Sequence, residues 1–192
     1  MFYIKEEYNS TLEVKQSKFI AHLLPFDIYQ KRLDELKLQH PKARHFVTAY
    51  RYKNEYNQIV EASSDDGEPK GTSGKPSLMV LSGHNLINTA VIVVRYFGGT
   101  KLGTGGLVRA YSDAVNQVIN NAKLLEYKDE KTIEISFNYN DIRIIDYELE
   151  KLDINIIDKN FSSNVIYKLK APQEILDNFL SSLNCITHIP HR

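Results

Sequence analysis

The sequence predicts an α+β protein of two domains, 1–128 and 129–192, and three observations support this fold class. An unbroken apolar segment, TAVIVVRYF at 89–97, is typical of a central strand that is covered on both faces. The clearest amphipathic helix of the chain follows it. After residue 129 the pattern restarts in the order β-α-β-β-α-β, which is the order of a ferredoxin-like domain.

The first elements of the chain are a strand pair and a helix. TLEVK (11–15) and KFIAHLL (18–24) are rich in β-branched and apolar residues and predict two paired strands. Asp27, with Gln30 three residues later, predicts the N-cap of a helix. His40 and the proline after it predict the end of this helix, because proline cannot continue helical hydrogen bonding.

Strands and loops alternate in the rest of the first domain. Segments 45–52 and 57–63 predict two further strands. The segment 63–76 is rich in Gly, Pro, Ser and Asp and predicts a long loop, which inside a compact domain is usually functional or mobile. A short helix at about 77–81 is expected next. The helix after the central strand should begin near Gly105 and carry an apolar stripe of Leu107, Tyr111, Ala114, Val118 and Ala122.

The second domain begins with a strand at 133–139, where apolar and polar residues alternate. Pro172 is expected to be the first residue of the second helix of this domain. The remaining predicted elements are a helix at 142–152, a hairpin of 154–161 and 164–171, and a last strand at 185–189.

Composition excludes several classes of protein. Apolar residues make up 42% of the chain and charged residues 25%, a globular mix that excludes a disordered or collagen-like protein. The single cysteine, Cys185, excludes an internal disulfide framework and a Cys-rich zinc site. The longest apolar run, 90–94, is far shorter than a membrane span of roughly 20 residues. We therefore expect a cytoplasmic protein with no membrane contact.

The net charge is zero, but the two domains differ in sign. The first carries 17 Lys and Arg against 13 Asp and Glu, and the second carries 7 against 11. The first domain is therefore the candidate for contact with an anionic partner.

The segment RYFGGTKLGTGGLVRAY, which joins the central strand to the amphipathic helix, carries the clearest binding signal. Glycines leave backbone N–H groups accessible, and a helix N-terminus adds unpaired donors and partial positive charge. With basic side chains beside them, these features predict a site for phosphate, either in RNA or in a small molecule. The predicted anion contacts are Arg95, Gly98, Gly99, Lys101, Gly103, Gly105, Gly106 and Arg109, with Lys70, Lys75 and Arg51 as further cations.

An alternative explanation is that the glycines only allow a tight strand-to-helix connection. Neither of two familiar nucleotide motifs is present. GTSGKP at 71–76 lacks the first Gly and the final Ser or Thr of a P-loop, and GTGG at 103–106 lacks the spacing of a dinucleotide-binding loop.

Asp65, Asp66 and Glu68 form an acidic cluster in the loop 63–76, and three explanations remain open. The carboxylates could coordinate Mg²⁺, the only cofactor that we consider. They could instead form turns. They could also fold across Arg95 or Arg109 as a salt-bridged lid.

No catalytic residue is predicted. His45 and His84 could act as acid–base groups, but no nucleophile lies at a matching spacing, so we expect both to be structural. Cys185 lies in an apolar segment and is expected to fill the core.

Three segments, ARHFVTAYRY, SSDDGEPKGTSGKPSL and VVRYFGGTKLGTGGLVRAY, resemble the IMPACT/YigZ family in their order and spacing. The resemblance covers about residues 15–120, and the C-terminal part is similar to the small second domain of bacterial members. One feature differs. The family tends to have His-x-Cys in the first motif, whereas His45 is followed by Phe46 and Val47, which argues against a catalytic or metal-binding Cys–His pair.

The resemblance implies a first domain similar to the second domain of ribosomal protein S5, and a ferredoxin-like second domain similar to the last domain of elongation factor G. It also implies a role in translation, because eukaryotic relatives are linked to translational control through a ribosome-associated partner. Bacterial members have been suggested to bind nucleic acid. The first fold type is shared with the galactokinase/homoserine-kinase superfamily, which keeps a phosphate-binding enzyme open as an alternative.

Three functions therefore remain open. The first is a translation-associated regulator that binds RNA or the ribosome through the glycine-rich loop, with a protein of the translation machinery as a further partner. The second is an enzyme or sensor that binds a small phosphorylated ligand between the loops 63–76 and 98–106. The third is a protein-interaction module without such a site.

Overall fold

The structure is a computed structural model that describes residues 1–186 of the chain. The chain forms two compact units, Met1–Tyr127 and Lys128–Arg192, and each combines helices with antiparallel strands. The mixture of helices and sheets that the sequence predicts is confirmed. Within residues 1–186, no helix is long and apolar enough to cross a membrane.

The first unit is built on a five-stranded antiparallel sheet and a separate strand pair. The pair consists of β1 (Phe2–Tyr3) and β7 (Leu125–Glu126), which joins the two ends of the unit. The sheet strands are β2 (Tyr8–Val14), β3 (Ser17–Pro25), β4 (His45–Lys53), β5 (Ile59–Ser64) and β6 (Thr89–Tyr96). Their order is β2-β3-β6-β4-β5, so β6 is the central strand.

Three helices cover the two faces of this sheet: α1 (Tyr29–Gln39), α2 (Gly74–Gly83) and α3 (Gly103–Asn120). The alternation of side chains along β6 divides the core. Val91 and Val93 pack with α2 and α3, whereas Ile92 and Val94 pack with α1. Seven consecutive residues of β6 are buried, which confirms the prediction of a doubly covered central strand.

Two predicted helix starts are wrong. Asp27 is not an N-cap, because the chain passes from Pro25 into a 3₁₀ turn at Phe26–Ile28 and α1 begins only after it. Helix α2 begins at Gly74, before the predicted start at 77, because its first N–H groups are bonded to the distant carboxylate of Asp65.

The second unit has the order β-α-β-β-α. Its elements are β8 (Glu130–Phe137), α4 (Ile142–Lys151), β9 (Asn155–Phe161), β10 (Val165–Pro172) and α5 (Gln173–Ile186). The strand order β8-β10-β9 places β10 at the centre of this sheet. Both helices pack on one face, around Ile135, Tyr167 and Phe179.

Two predictions for the second unit need correction. Pro172 ends β10 and pairs with Glu130, so it does not open the helix. Cys185 and Ile186 belong to α5 and not to a last strand. The apolar spacing of Leu176, Phe179 and Leu183 continues to position 186, which favours helix there. The rest of that predicted strand, 187–189, and position 185 as a core side chain lie outside what the structure describes.

Candidate functional site

A buried ion pair joins β6 to the loop before α2. Arg95, near the end of β6, donates a hydrogen bond from Nη1 to Oε1 of Glu68. The same oxygen accepts a hydrogen bond from the hydroxyl of Tyr111 on α3 at 2.9 Å. The side chains of Arg95 and Glu68 are 6% and 4% exposed, so the pair is shielded from water. Three separate segments of the chain therefore meet at one carboxylate.

The surroundings keep the Tyr111 hydroxyl protonated. Burial, and then the negative charge of Glu68, raise the pKa of the Tyr111 hydroxyl, so it remains a donor. The Arg95 guanidinium lies 5.4 Å from the ring centroid of Phe19 and 5.8 Å from that of Phe97. These are cation–π distances. Among the described residues, Arg95 Nε has no hydrogen-bond partner.

His45 packs against the same loop. Its Nδ1 is 2.9 Å from the carbonyl oxygen of Asp66, so this nitrogen carries the proton and donates it. Its Nε2 lies 3.9 Å from Oε1 of Glu68. His84 bonds to Asn116 Oδ1 at 2.9 Å and connects α2 with α3. Both histidines therefore connect separate segments of the first unit.

The two aspartates of the acidic cluster accept hydrogen bonds from the backbone. Asp65 accepts from the backbone N–H groups of Gly71, Ser73 and Gly74 at 2.7 to 3.1 Å, and from the Ser73 hydroxyl at 2.7 Å. Burial acts to raise the pKa of Asp65, but these donors outweigh it and lower the pKa. Asp66 accepts the N–H of Phe46 at 2.6 Å.

The three carboxylates do not fit a magnesium site. Asp65, Asp66 and Glu68 each face different hydrogen-bond donors, so they do not offer one shared set of oxygens. Over the part of the chain that the structure describes, no group of three or more His, Cys, Asp or Glu side chains is arranged to hold a metal ion. Glu68 pairs with Arg95, which is one of the two arginines considered for a salt-bridged lid.

Four glycines, two in the loop before α3 and two in its first turn, have a structural explanation. A Cβ at Gly98 would lie 2.0 Å from the backbone carbon of Gln16, and one at Gly106 would lie 3.1 Å from Cβ of Leu102. Gly99 and Gly103 have φ values of +86° and +73°, which side-chain-bearing residues rarely adopt. Gly98, Gly99 and Gly103 therefore require glycine for the fold alone, whereas a Cβ at Gly106 would require only a small shift of the Leu102 side chain.

Gly105 has no such explanation. A Cβ there would meet nothing within 4 Å, and φ is not in the left-handed region. It lies in the first turn of α3, where N–H groups have no intrahelical acceptor, and Leu102 at the N-cap gives no side-chain cap. Glycine in a helix costs up to about 1 kcal/mol relative to alanine. Neither a close contact nor a positive φ therefore requires glycine at position 105.

A cleft of about 340 Å³ opens beside this helix end. One wall comes from the loop before α2, with Glu68 and Pro69, and the other from the glycine-rich loop before α3. Phe97, 52% exposed, lies at the cleft and presents an aromatic face. The full lining consists of Glu68, Pro69, Arg95, Phe97, Lys101, Leu102, Gly103, Thr104 and Leu107.

The predicted cations divide into two groups. Lys70, Lys75, Lys101 and Arg109 are exposed, and none of them forms a salt bridge in the described part of the chain. Lys101 lines the cleft, and Arg109 follows Gly105 by four residues on the same face of α3.

The other two predicted cations are buried. Arg95 lines the cleft but is already paired with Glu68. Arg51 is paired with Glu61 at 2.6 Å and donates to the carbonyl oxygen of Leu86 at 2.7 Å. The strand register places Arg51 opposite Thr89, at the other end of β6 from Arg95. Arg51 therefore cannot join the site. The prediction that Arg51 is one of the cations that contact the anion is wrong.

The sequence interpretation missed Tyr111 and Phe97. The helical spacing places Tyr111 in an apolar stripe, although a fully buried tyrosine usually needs a partner for its hydroxyl. The apolar pattern at 89–97 predicts Phe97 as the end of the strand. Its position just before the glycines is the signal that could have identified an exposed aromatic residue beside the loop.

Known proteins are similar to this chain over the segments that form the site. A family model described as the Impact N-terminal domain matches residues 15–119. A Haemophilus influenzae protein named "IMPACT family member" is 36% identical over 177 residues, which cover 89% of this chain and 84% of the relative. The Bacillus subtilis protein named "IMPACT family member YvyE" is 32% identical over 190 residues, covering 97% and 87%.

A solved structure is similar over nearly the whole chain. It is the crystal structure of a protein described as hypothetical, with a TM-score of 0.72 and 28% sequence identity. The match covers 97% of this chain and 92% of the other.

Proposed function

The chain belongs to the IMPACT family, and from this premise we propose that it is a cytoplasmic, translation-associated regulator that binds RNA on the ribosome. The contact is made by the first turn of α3 and the glycine-rich loop before it. RNA phosphates accept hydrogen bonds from the open N–H groups of this turn, and the positive end of the helix dipole favours their charge.

Gly105 carries this proposal. If the glycines served packing alone, each would be needed by a close contact or by a positive φ, and Gly105 is needed by neither. A residue without a side chain at this point lets a phosphate oxygen reach the backbone.

The exposed side chains around Gly105 suit RNA. Lys101 and Arg109 provide positive charge on either side of the turn, and Lys70 lies on the adjoining loop. Phe97 offers a half-exposed ring on which a base of single-stranded RNA can stack. Arg95 plays a supporting part, because its pairing with Glu68 fixes the loop that forms the opposite wall.

We also propose a specific fold type for each of the two units. The order β8-β10-β9 with helices on one face supports a ferredoxin-like second unit. For the first unit, a likeness to the second domain of ribosomal protein S5 rests on the sequence resemblance. Together these two fold types would match those that follow each other in elongation factor G.

A second candidate ligand is a small phosphorylated molecule. The observation that favours it is the cleft of about 340 Å³, since its walls come from both loops of the alternative hypothesis. That volume lies at the lower end of the range for small-molecule sites. In this case one small anion would stabilise the protein against heat, and RNA would not be required.

The test is co-sedimentation of the full chain with ribosomes and their subunits across a salt series. We expect binding that weakens as salt rises, because phosphate contacts release counterions. The double variant Lys101→Ala, Arg109→Ala should bind more weakly and lower the salt slope by about two. The matched control is Lys37→Ala, Lys42→Ala, which removes two exposed cations on and just beyond α1, on the opposite side of the sheet.

An unchanged affinity and salt slope in the Lys101, Arg109 double variant would exclude this face as the RNA contact. Equal loss in both double variants would show only nonspecific charge attraction. If wild-type protein does not sediment with ribosomes at low salt while a phosphorylated metabolite raises its melting temperature, the small-ligand alternative is the correct one.

A further inference from the structure

The hairpin turn between β2 and β3 combines a left-handed backbone with residues that do not favour it. Val14 pairs with Ser17, so the turn consists of two residues, Lys15 and Gln16. Their φ values are +45° and +64°, and positive φ at both positions is the pattern of a type I′ turn. Such turns strongly favour Asn-Gly or Asp-Gly, because most side chains are strained at positive φ. Lysine and glutamine therefore do not suit the conformation of this turn.

Lys15 and Gln16 differ from every other left-handed residue that the structure describes. Within residues 1–186, the remaining non-glycine residues with positive φ are all Asn or Asp, which tolerate this conformation best. They are Asn57, Asp66, Asn85, Asn88 and Asp153. Two adjacent left-handed residues of other types cost the protein stability, and strain of this kind often marks a functional segment.

Packing within the first unit does not require these two side chains. Both are exposed, and neither forms a side-chain hydrogen bond or an ion pair with the described part of the chain. The backbone of Gln16 does contact Gly98, but a glycine at position 16 would provide the same backbone atoms. The described contacts therefore depend on the turn itself and not on the side chains that it carries.

The turn lies against the glycine-rich loop before α3. The N–H of Gly98 donates a hydrogen bond to Oγ of Ser17 at 3.1 Å. The two backbones are so close that a Cβ at Gly98 would lie 2.0 Å from the backbone carbon of Gln16. The exposed side chains of the turn are therefore next to the loop that leads into the proposed RNA contact.

We propose that Lys15 and Gln16 form a second point of contact with the RNA that binds at the first turn of α3, an inference that rests on the proposed function. Lys15 provides positive charge for a neighbouring phosphate of the same RNA. The amide of Gln16 donates a hydrogen bond to a phosphate or sugar oxygen. RNA held at both points crosses the glycine-rich loop. This contact explains why the turn carries two side chains that strain it.

The test replaces the two residues by those that a type I′ turn favours. The double variant Lys15→Asn, Gln16→Gly should have a melting temperature about 2–4 °C above that of the wild type, because the strain is removed. In co-sedimentation with ribosomes the full-length variant should bind about tenfold more weakly, because both contacts are lost. A purely structural role of the turn would not produce a gain in stability together with a loss of binding.

Single variants separate the two contacts. Lys15→Asn should lower the salt slope of binding by about one, because it removes one phosphate contact. Gln16→Gly should weaken binding about threefold without changing the salt slope, because it removes no charge. Lys18→Ala is the matched control. Lys18 is an exposed cation of the same hairpin, but it lies with Ile20 on the α1 face of the sheet, so its loss should leave affinity and salt slope unchanged.

The proposal is overturned if the double variant of the turn binds ribosomes as the wild type does, or if Lys18→Ala weakens binding as much as Lys15→Asn. It is also overturned if the double variant is no more stable than the wild type, since the turn would then not be strained. Full binding by the turn variant, with weaker binding by Lys101→Ala, Arg109→Ala, would retain the α3 contact and exclude the turn. Wild-type protein that does not sediment with ribosomes at low salt would overturn both proposals.

Discussion

Glu68 and Arg95 form a buried ion pair between the loop before α2 and the central strand, although 27 positions separate them in the chain. The pair explains why Arg95 is not a free ligand for phosphate. The Arg95 charge is already paired with the Glu68 carboxylate. That carboxylate also accepts a hydrogen bond from the Tyr111 hydroxyl. The pair instead fixes one wall of the cleft beside α3.

Glu68→Gln should therefore destabilise the protein strongly. The substitution keeps the size of the side chain but leaves the Arg95 guanidinium buried without its anion, which typically costs about 3–5 kcal/mol. Urea unfolding followed by circular dichroism measures the change. Glu35→Gln is the control, because Glu35 pairs with Arg32 at a more exposed position and should contribute less than about 1 kcal/mol. Equal effects of the two substitutions would contradict the account of the buried pair.

Asp65→Ala should destabilise the start of α2. The substitution removes an acceptor from the N–H groups of Gly71, Ser73 and Gly74 and from the Ser73 hydroxyl. Loss of a helix cap with additional loop hydrogen bonds should lower the free energy of unfolding by about 2 kcal/mol. Asp113→Ala, at an exposed position on α3, should change it by less than about 0.5 kcal/mol. Thermal unfolding of the two variants side by side provides the measurement.

Acidification should destabilise the protein through His22. Its Nδ1 bonds to Glu7 Oε1 at 2.8 Å, while its buried Nε2 has no partner among residues 1–186. Burial lowers the pKa of His22 below 6.5, an effect only partly offset by Glu7 and increased by Arg32 and His40. The unfolded chain therefore takes up this proton first. Stability is full above pH 6.5 and falls as the pH drops from there through the lower pKa of the folded state.

Urea unfolding at a series of pH values between 8 and 5, on the order of six points, tests this dependence. His22→Asn removes the titrating group, and the slope below about pH 6.5 should be shallower in that variant than in the wild type. Parallel curves for the two proteins would show that another group is responsible.

Gly98→Ala should be far more harmful than its only partly buried position suggests. The added Cβ would lie 2.0 Å from the backbone carbon of Gln16, in the turn between β2 and β3, so the backbone would have to move. We expect a loss of about 3 kcal/mol or more in urea unfolding. A loss below about 1 kcal/mol would mean that the loop and the turn are not in close contact.

The sequence predicts most elements of the first unit correctly because its signals are local. The apolar run at 89–97 and the stripe through Leu107 and Tyr111 identify β6 and α3 without any tertiary information. The start of α2 could not be predicted in the same way. Its capping carboxylate belongs to Asp65, eight to nine residues earlier, and only the folded loop brings the two together.

The site was only partly predictable for a similar reason. Glycines and basic residues mark the loop before α3, but the pattern does not show which cations are free. Arg51 and Arg95 look alike in the sequence, yet one lies at the far end of β6 and both are buried in ion pairs. Pairing with Glu61 and Glu68 depends on strand register and loop closure, which side-chain type alone does not determine.

The most direct test of the central claim compares RNA binding and stability in Gly105→Ala. A Cβ at this position meets no atom within 4 Å, so the variant should fold normally and be as stable as the wild type or up to about 1 kcal/mol more stable. We predict that it nevertheless binds ribosomes about tenfold more weakly in the salt-series assay, because the methyl group blocks the backbone N–H groups of the first turn of α3. Wild-type ribosome affinity in a normally folded Gly105→Ala protein would contradict the claim that this turn contacts RNA.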